Sequence, residues 1–485
     1  MTSRRKFLAC GAAAAGAAAL GATATPPRPV FSLRGYYITF MRMPTYGLAQ
    51  WKDAIDCFAD DGANFLQVWM AGAFRSKKYP VTWRYNEAHE NVRADFVREL
   101  IDYAHGKGVR VVLGFTPFGY DGVNQYPLEH PHLRATGHSG KPVEKFGIHC
   151  WGYNLCPSRP ESRRFMLEYV REMAFDFYPN ADGLLIESSD YGVCHCGQCR
   201  GKFFEHEFEF VRTISDEVWA RKPQATVIVY PHYFSGGEVP GLGVKGAARE
   251  LDPRWTLYFT PHSAHLDAGL IRRAKGSLWW DDSPALHGPE AVQRGARRAK
   301  EIGATGYVPS LEAFSFVATH PEEGEQYVVG RRQAPLGMTW LAADRMPYGE
   351  LSARVNRIAY REFTRNPDLP FDEFKRRLGN KVFGADGAAA VDDLLELQRV
   401  LAVERTWRQA SPVADPRRVR ARAERGALKP EDARAYRDAV GRLRGIASRH
   451  SGARQPNRRE LHRIAAWLVA RWDAADNARL LDVRS

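Results

Sequence analysis

Eight short apolar runs, separated by amphipathic stretches, constrain the fold of this chain more than any other feature. They fall at 33–40, 65–70, 109–115, 183–187, 226–230, 256–260, 277–281 and 306–311. Helical patterns at 48–61, 92–106, 161–177, 202–221 and 289–302 lie between several of them. The phrase His105-Gly106-Lys107-Gly108-Val109-Arg110 reads as a helix end, a glycine stop and then a buried strand, and Glu301-Ile302-Gly303-Ala304-Thr305-Gly306 repeats it. Strands that are apolar throughout belong to a parallel sheet covered on both faces. Eight of them with intervening helices predict an α/β fold, a (β/α)8 TIM barrel spanning 31–365. An open doubly wound sheet is the competing architecture. No glycine-rich phosphate loop follows the first run, which counts against a nucleotide-binding fold.

From about Asn366 the pattern changes. Pro367 and Pro370 mark a boundary, and helix-like segments follow at 371–382, 388–408, 430–449 and 458–475. This predicts an α-helical C-terminal domain over 366–485 whose apolar stripes form its own core. The chain of 485 residues is long enough for both units, and 44% hydrophobic against 26% charged residues is a globular composition. The formal charge of +13 gathers in the arginine-rich C-terminal third. No nucleic-acid-binding motif accompanies it, so the reading is no nucleic acid. An anionic polysaccharide or the cell surface suits the charge better.

The first 25 residues read as a twin-arginine signal peptide. Ser3-Arg4-Arg5-Lys6-Phe7-Leu8 is the export motif, an Ala/Gly-rich apolar stretch follows, and Ala22-Thr23-Ala24 offers small residues for cleavage. The apolar run from 7 to 20 is too short for a membrane span of about 20 residues. The expectation is a periplasmic or secreted protein, handled by the twin-arginine export machinery, with no stable membrane span after cleavage.

Cysteines supply the next signal. Cys194, Cys196 and Cys199 form a CxCxxC knot, and Cys156 stands upstream in Asn-Leu-Cys-Pro. Cysteines so close in sequence rarely reach disulfide geometry with one another. They suit a soft tetrahedral cation, and four thiolates make a closed structural Zn2+ site. Cys156 is the first choice as fourth ligand, with Cys150 and His195 as alternatives. Zinc loaded in the reducing cytoplasm fits a route that exports folded proteins.

In a barrel the residues at the C-terminal ends of the strands face the pocket. Those ends carry Trp69, then Thr116 and Phe118, then Glu187 with Asp190 and Tyr191. Further on come Tyr230, His232 and Tyr233, then His262 and His265, then Trp279-Trp280-Asp281-Asp282, and finally Glu312. Sugar rings stack on Trp and Tyr, and glycosidic cleavage needs two carboxyl groups flanking the bond. The catalytic candidates are therefore Glu187, Glu312, Asp281 and Asp282. The substrate-binding candidates are Trp69, Tyr191, Tyr230, His232, His262, Trp279 and Trp280. Neighbouring strand residues point opposite ways, so at most one of Asp281 and Asp282 faces the pocket, and one of the two tryptophans packs in the core.

The segment Cys156-Pro157-Ser158-Arg159-Pro160-Glu161-Ser162-Arg163, followed by an acidic strand end and CxCxxC, resembles the zinc-bearing β-galactosidases of glycoside hydrolase family 42 and related barrels. The resemblance covers about residues 150–200. It implies that Cys156, Cys194, Cys196 and Cys199 hold one zinc and that Glu187 takes the acid/base place. The clan has Asn before that Glu where this chain has Ile186, and a Glu at the end of strand 7 where this chain has Asp281-Asp282. The spacing from that Asp pair to Glu312 also resembles the α-glucuronidases, in which one Glu is the acid and an Asp/Glu pair activates water. Arg361-Glu362-Phe363-Thr364-Arg365-Asn366-Pro367, leading into helices, is similar to barrels of this broad sort. Together these readings predict an exported glycoside hydrolase acting on a poly- or oligosaccharide, with structural zinc. A polysaccharide lyase acting on a uronate-containing glycan and a non-catalytic carbohydrate-binding barrel are the alternatives.

Overall fold

The structure is a computed structural model. It describes residues 29–39, 48–70, 73–84, 87, 90–119, 122–145, 152–188, 193–234, 244–260, 268–281, 288–309, 317–319, 326–328, 349–385, 387–401 and 416–474. Eight parallel strands close into a barrel: β1 (Leu33–Thr39), β2 (Phe65–Trp69), β3 (Arg110–Phe115), β4 (Gly183–Ile186), β5 (Thr226–Val229), β6 (Thr256–Phe259), β7 (Gly276–Asp281) and β8 (Gly306–Pro309). Neighbours in sequence are neighbours in the sheet, and Leu33 and Arg34 of β1 pair with Gly306 and Tyr307 of β8 to close it. The expected (β/α)8 architecture is the one found. Each strand matches its apolar run to within two residues at either end.

One inward residue or more from every strand builds the barrel interior: Tyr37, Phe65, Trp69, Val112, Leu185, Ile228, Tyr258, Leu278 and Val308. The alternate residues, such as Val68, Leu113, Ile186 and Val227, are equally buried. This is why the strands read as continuous apolar runs. Gly35 and Gly183 are demanded by close approach. A Cβ on Gly35 would lie 1.7 Å from the Phe65 carbonyl oxygen, and one on Gly183 would lie 1.8 Å from that of Thr226.

Helices follow the strands: α1 (Leu48–Asp60), α2 (Val97–Gly106), α3 (Pro160–Arg171), α4 (Phe203–Arg221), α5 (Ala268–Arg273), α6 (Pro289–Glu301) and α7 (Gly349–Arg365). Two depart from the sequence pattern. The helix expected at 92–106 breaks at Asp95, whose φ of 46° is left-handed, between a short turn at Glu90–Ala94 and α2. The helix expected at 161–177 ends as α at Arg171 and continues as a π-helical turn, Glu172–Phe177. The buried Glu172 carboxylate there accepts bonds from Ser76 Oγ at 2.5 Å and the Lys77 amide at 2.9 Å, a tertiary tie that no local propensity encodes.

By compactness the chain divides into two units. One comprises 1–281, 298–310 and 315–331, and the other comprises 282–297, 311–314 and 332–485. The second is helical and adds α8 (Phe371–Phe383), α9 (Ala388–Leu401), α10 (Pro416–Glu424), α11 (Pro430–Arg449) and α12 (Pro456–Ala474) to α7. Its core includes Phe363, Phe374, Leu378, Leu394, Leu443, Ile446, Ile464, Leu468 and Trp472. The α10 segment was not foreseen; its run of arginines hides the small buried stripe made by Val419 and Ala423. Among the described residues no helix is long and apolar enough to cross a membrane.

The Gly35 contact sets a direct test. Gly35→Ala forces backbone apart inside the barrel and lowers stability by roughly 2–4 kcal/mol. Gly106→Ala, where a Cβ meets nothing within 4 Å, is close to neutral. Denaturant unfolding of the two variants checks this, and a Gly35→Ala protein as stable as the wild type would contradict it.

Candidate active site and metal centre

Four sulfurs converge between the loops that follow β3 and β4. Cys156 lies just before α3, and Cys194, Cys196 and Cys199 lie just before α4. Their Sγ atoms all lie within 4.8 Å of one another. Cys156 is 3.8 Å from Cys196 and 3.6 Å from Cys199. A tetrahedron of thiolates about 2.3 Å from a central cation has edges of about 3.8 Å. A disulfide would need about 2.05 Å, and all four cysteines are free.

The surroundings also fit a bound cation. The Thr136 amide donates to Cys194 Sγ at 3.3 Å, and Ser158 Oγ lies 3.1 Å from Cys156 Sγ. Ala135, Phe203, Val143, Val193 and Phe204 pack around the cluster, with Cys156, Cys194 and Cys199 buried and Cys196 half-buried. Among the thiols themselves, hydrogen bonds from Cys194 and Cys199 hold Cys156 well below the usual thiol range. The same interaction pushes Cys194 up to about 11. The donor set is complete with four sulfurs, so the site is closed and offers no position to a substrate. Of the two alternative ligands, His195 is not one of the four: its ring stacks on His138 at 3.4 Å, and its amide donates to the Thr136 carbonyl at 2.6 Å. Cys150 lies outside the described residues.

The barrel mouth is the second site. The Glu187 amide donates to the Phe115 carbonyl at 2.9 Å, so the β3–β4 ladder runs one residue past β4. Alternation from the interior Leu185 turns Glu187 toward the barrel interior and Ser188 away from it. Glu187 is half-buried. On the inward side of β7, Trp280 stands edge-on to Tyr37 at 5.9 Å and lies 6.1 Å from Tyr258, whose ring meets Tyr230 at 5.2 Å. Trp280 and Tyr230 are only half-buried, so these rings present an aromatic wall at the same end as Glu187.

Other candidates fall differently. Trp279 faces outward, 5% exposed and with Arg298 5.9 Å over its ring, so of the two tryptophans it is the one in the packing. Trp69 is 1% exposed in the interior layer and forms the floor of the mouth instead of an open stacking face. His232 lies among Phe204, Tyr230 and Tyr233, with ring centroids 5.3, 5.9 and 4.2 Å away. Desolvation drops its pKa to about 3, so it is a neutral imidazole near pH 7. It can hydrogen-bond a hydroxyl but supplies no positive charge to a carboxylate. Asp281 ends β7 paired with Pro309, and its side chain lies outside the described residues, as do Asp190, Tyr191, His262, His265, Asp282 and Glu312.

Gln67 and Glu207 are polar groups that sequence analysis does not single out. Gln67 is fully buried on the inward side of β2 between Phe65 and Trp69, and among the described residues neither amide atom has a partner. Thr116, a strand-end residue in the sequence, also has its hydroxyl buried without a partner among the described residues. A glutamine in the middle of an otherwise apolar strand was the available signal. Glu207, fully buried on α4, is the other; its signal was a carboxylate on the helix's apolar stripe.

No protein-family profile matches the chain, and no curated protein is similar to it in sequence. Solved structures are similar in fold. A family 138 glycoside hydrolase targeting pectin rhamnogalacturonan II has a TM-score of 0.53 and 13% identity, over 92% of this chain and 71% of its own. The O-GlcNAc hydrolase of Thermobaculum terrenum has a TM-score of 0.49 and 11% identity, over 93% and 84%. The chitobiase of Flavobacterium johnsoniae has a TM-score of 0.44 and 12% identity, over 94% and 73%.

If the thiol cluster holds a cation, the purified protein carries one metal ion per chain, and Cys196→Ser loses it. Hydrogen exchange then accelerates first in 133–143 and 193–202 while the barrel strands stay protected. Elemental analysis with exchange mass spectrometry checks both points. A native metal-free protein with protected loops would contradict them.

Proposed function

We propose that this protein is an exported glycoside hydrolase that cleaves a glycosidic bond in a poly- or oligosaccharide, with Glu187 as its proton donor. The observation that carries the reading is the half-buried Glu187, at an inward position by strand alternation at the C-terminal end of β4, the same end of the barrel as an aromatic wall that includes Trp280 and Tyr230. A carboxyl group at the mouth of a closed barrel is partly desolvated. Tryptophan and tyrosine rings there offer flat faces to the C–H side of a sugar.

The partner carboxylate in this proposal is Glu312 or one of Asp281 and Asp282, because β7 and β8 end at the same face as β4. A pair about 5–5.5 Å apart retains anomeric configuration, and one about 6.5–9.5 Å apart inverts it. The wider geometry suits a short Asp in the place of a Glu. Tyr37, Tyr230, Trp280 and the neutral His232 would bind the sugar, the last through its hydroxyls. Gln67 and Thr116 supply further hydrogen-bonding groups beneath them. The net charge of +13 favours an acidic glycan.

The cation in this reading is structural zinc, held by Cys156, Cys194, Cys196 and Cys199; four sulfurs at tetrahedral spacing suit it, and no reaction step runs through it. The lyase alternative loses one of its bases, since an imidazole with a pKa of about 3 takes up protons poorly.

Glu187→Gln keeps the shape of the mouth and removes the proton. It lowers kcat at least a thousandfold on a glycan that the wild type cleaves, while affinity for that glycan changes by less than about threefold. Screening acidic oligosaccharides by product mass, then repeating with the variant, provides the check. Wild-type turnover in the variant would overturn the role of Glu187.

Export is proposed on Arg4 and Arg5, the pair that a twin-arginine receptor reads. Replacing both by Lys leaves unprocessed precursor in the cytoplasm on fractionation. Unchanged appearance of processed protein outside it would refute the localisation.

A further inference from the structure

Glu207 lies on α4 with no exposed surface, on the stripe it shares with Phe203, Phe210, Ile214 and Val218. A carboxylate on that stripe is expensive to bury, and an apolar residue of similar size would serve stability as well or better. What distinguishes Glu207 is the pair of groups that reach it. Ser188 Oγ donates to its Oε1 at 2.5 Å, and the Tyr233 hydroxyl donates to the same oxygen. Burial and the Glu207 charge together push the Tyr233 pKa well up, so this hydroxyl remains a donor.

Both donors sit one residue beyond a mouth residue. Ser188 follows Glu187 at the end of β4, and Tyr233 follows His232 in the turn Pro231–Phe234 after β5. Glu187 turns inward because Ser188 turns outward, so fixing Ser188 fixes the peptide that carries Glu187. The Tyr233 ring packs 4.2 Å from that of His232, so fixing the tyrosine fixes one wall of the imidazole's slot. One oxygen on a rigid helix thus sets two successive loop ends.

We propose that Glu207 is a positioning residue of the mouth: from a helix outside the barrel it locks Glu187, at the end of β4, and His232, in the turn after β5, into one arrangement. Its catalytic consequence rests on the hydrolase reading above, whereas the placement itself does not. A displacement of about 1 Å at a reacting group is enough to cost about a hundredfold in rate. The two hydroxyls therefore matter to kcat although neither touches substrate.

The test removes one hydroxyl at a time, with Ser188→Ala and Tyr233→Phe, alongside Glu207→Gln. Crystal structures of each are compared with that of the wild type, and kcat and KM are measured on a cleaved glycan. The expected result is that Glu187 moves or becomes disordered in Ser188→Ala, and His232 in Tyr233→Phe. The kcat then falls tenfold or more while KM stays within about threefold, and Ser188→Thr, which keeps a hydroxyl, restores most of the rate. A merely structural Glu207 would lower the melting temperature and leave kcat alone. If Glu187 and His232 keep their wild-type positions, the proposal is overturned whatever happens to the rate. If the wild type cleaves no glycan but Glu187 is displaced in Ser188→Ala, the hydrolase reading falls and the positioning role stands. If Glu207→Gln does not fold, the two single-hydroxyl variants decide the question.

Discussion

The pairing of β1 with β8 closes a ring of backbone hydrogen bonds, and the rest of the barrel unit depends on that closure. A closed parallel sheet has no free edge and is buried on both faces, so its strands must be apolar almost throughout. Polar residues are pushed to the strand ends, where alternation decides their fate. At the end of β4 the inward position is Glu187 and the outward one is Ser188. On β7 the inward tryptophan is Trp280, and Trp279 packs on the other side. The site therefore follows from a parity rule applied at the rim of a closed sheet. Gln67 is the exception within a strand, with its amide buried in the barrel interior.

Two ties of different chemistry then act on the loops at that rim. In the proposed metal reading, the thiol cluster joins the loop after β3, through Cys156, to the loop after β4, through Cys194, Cys196 and Cys199. Glu207 joins the end of β4, through Ser188, to the turn after β5, through Tyr233. Three successive connections are thus held in series, with Glu187 between the two ties. Long loops lose much entropy when ordered. A tie that binds only the folded arrangement offsets that loss and narrows the conformations open to the residue between.

Much of this was legible in the sequence. All eight strands were, because a strand buried on both faces cannot hide its apolar run. The thiol set was legible too, because CxCxxC spacing permits few uses. What escaped was tertiary in origin. Nothing in the sequence near Glu172 announces that its carboxylate takes donors from residues 76 and 77, or that α3 continues as a π-helical turn. Nothing near Ser188 or Tyr233 announces that both reach one oxygen on α4. The choice between Trp279 and Trp280 needed the strand register, and Trp69 was read as a sugar platform because its burial depends on the strands around it. The depressed pKa of His232 comes from rings contributed by α4 and the turn after β5, which no local reading of residues 230–234 supplies.

The central claim is that the barrel mouth adds water across a glycosidic bond. Cleavage of an acidic oligosaccharide in water enriched in oxygen-18, read by mass spectrometry of the products, tests it most directly. A hydrolase places one heavy oxygen on the new reducing end, and its products carry no new ultraviolet absorbance; that is the result predicted here. A new reducing end without heavy oxygen, together with a partner fragment lighter than its hydrolysis product by one water and absorbing as an unsaturated uronate, would contradict the account and identify eliminative cleavage. An intact, tightly bound oligosaccharide would contradict it in favour of a binding protein.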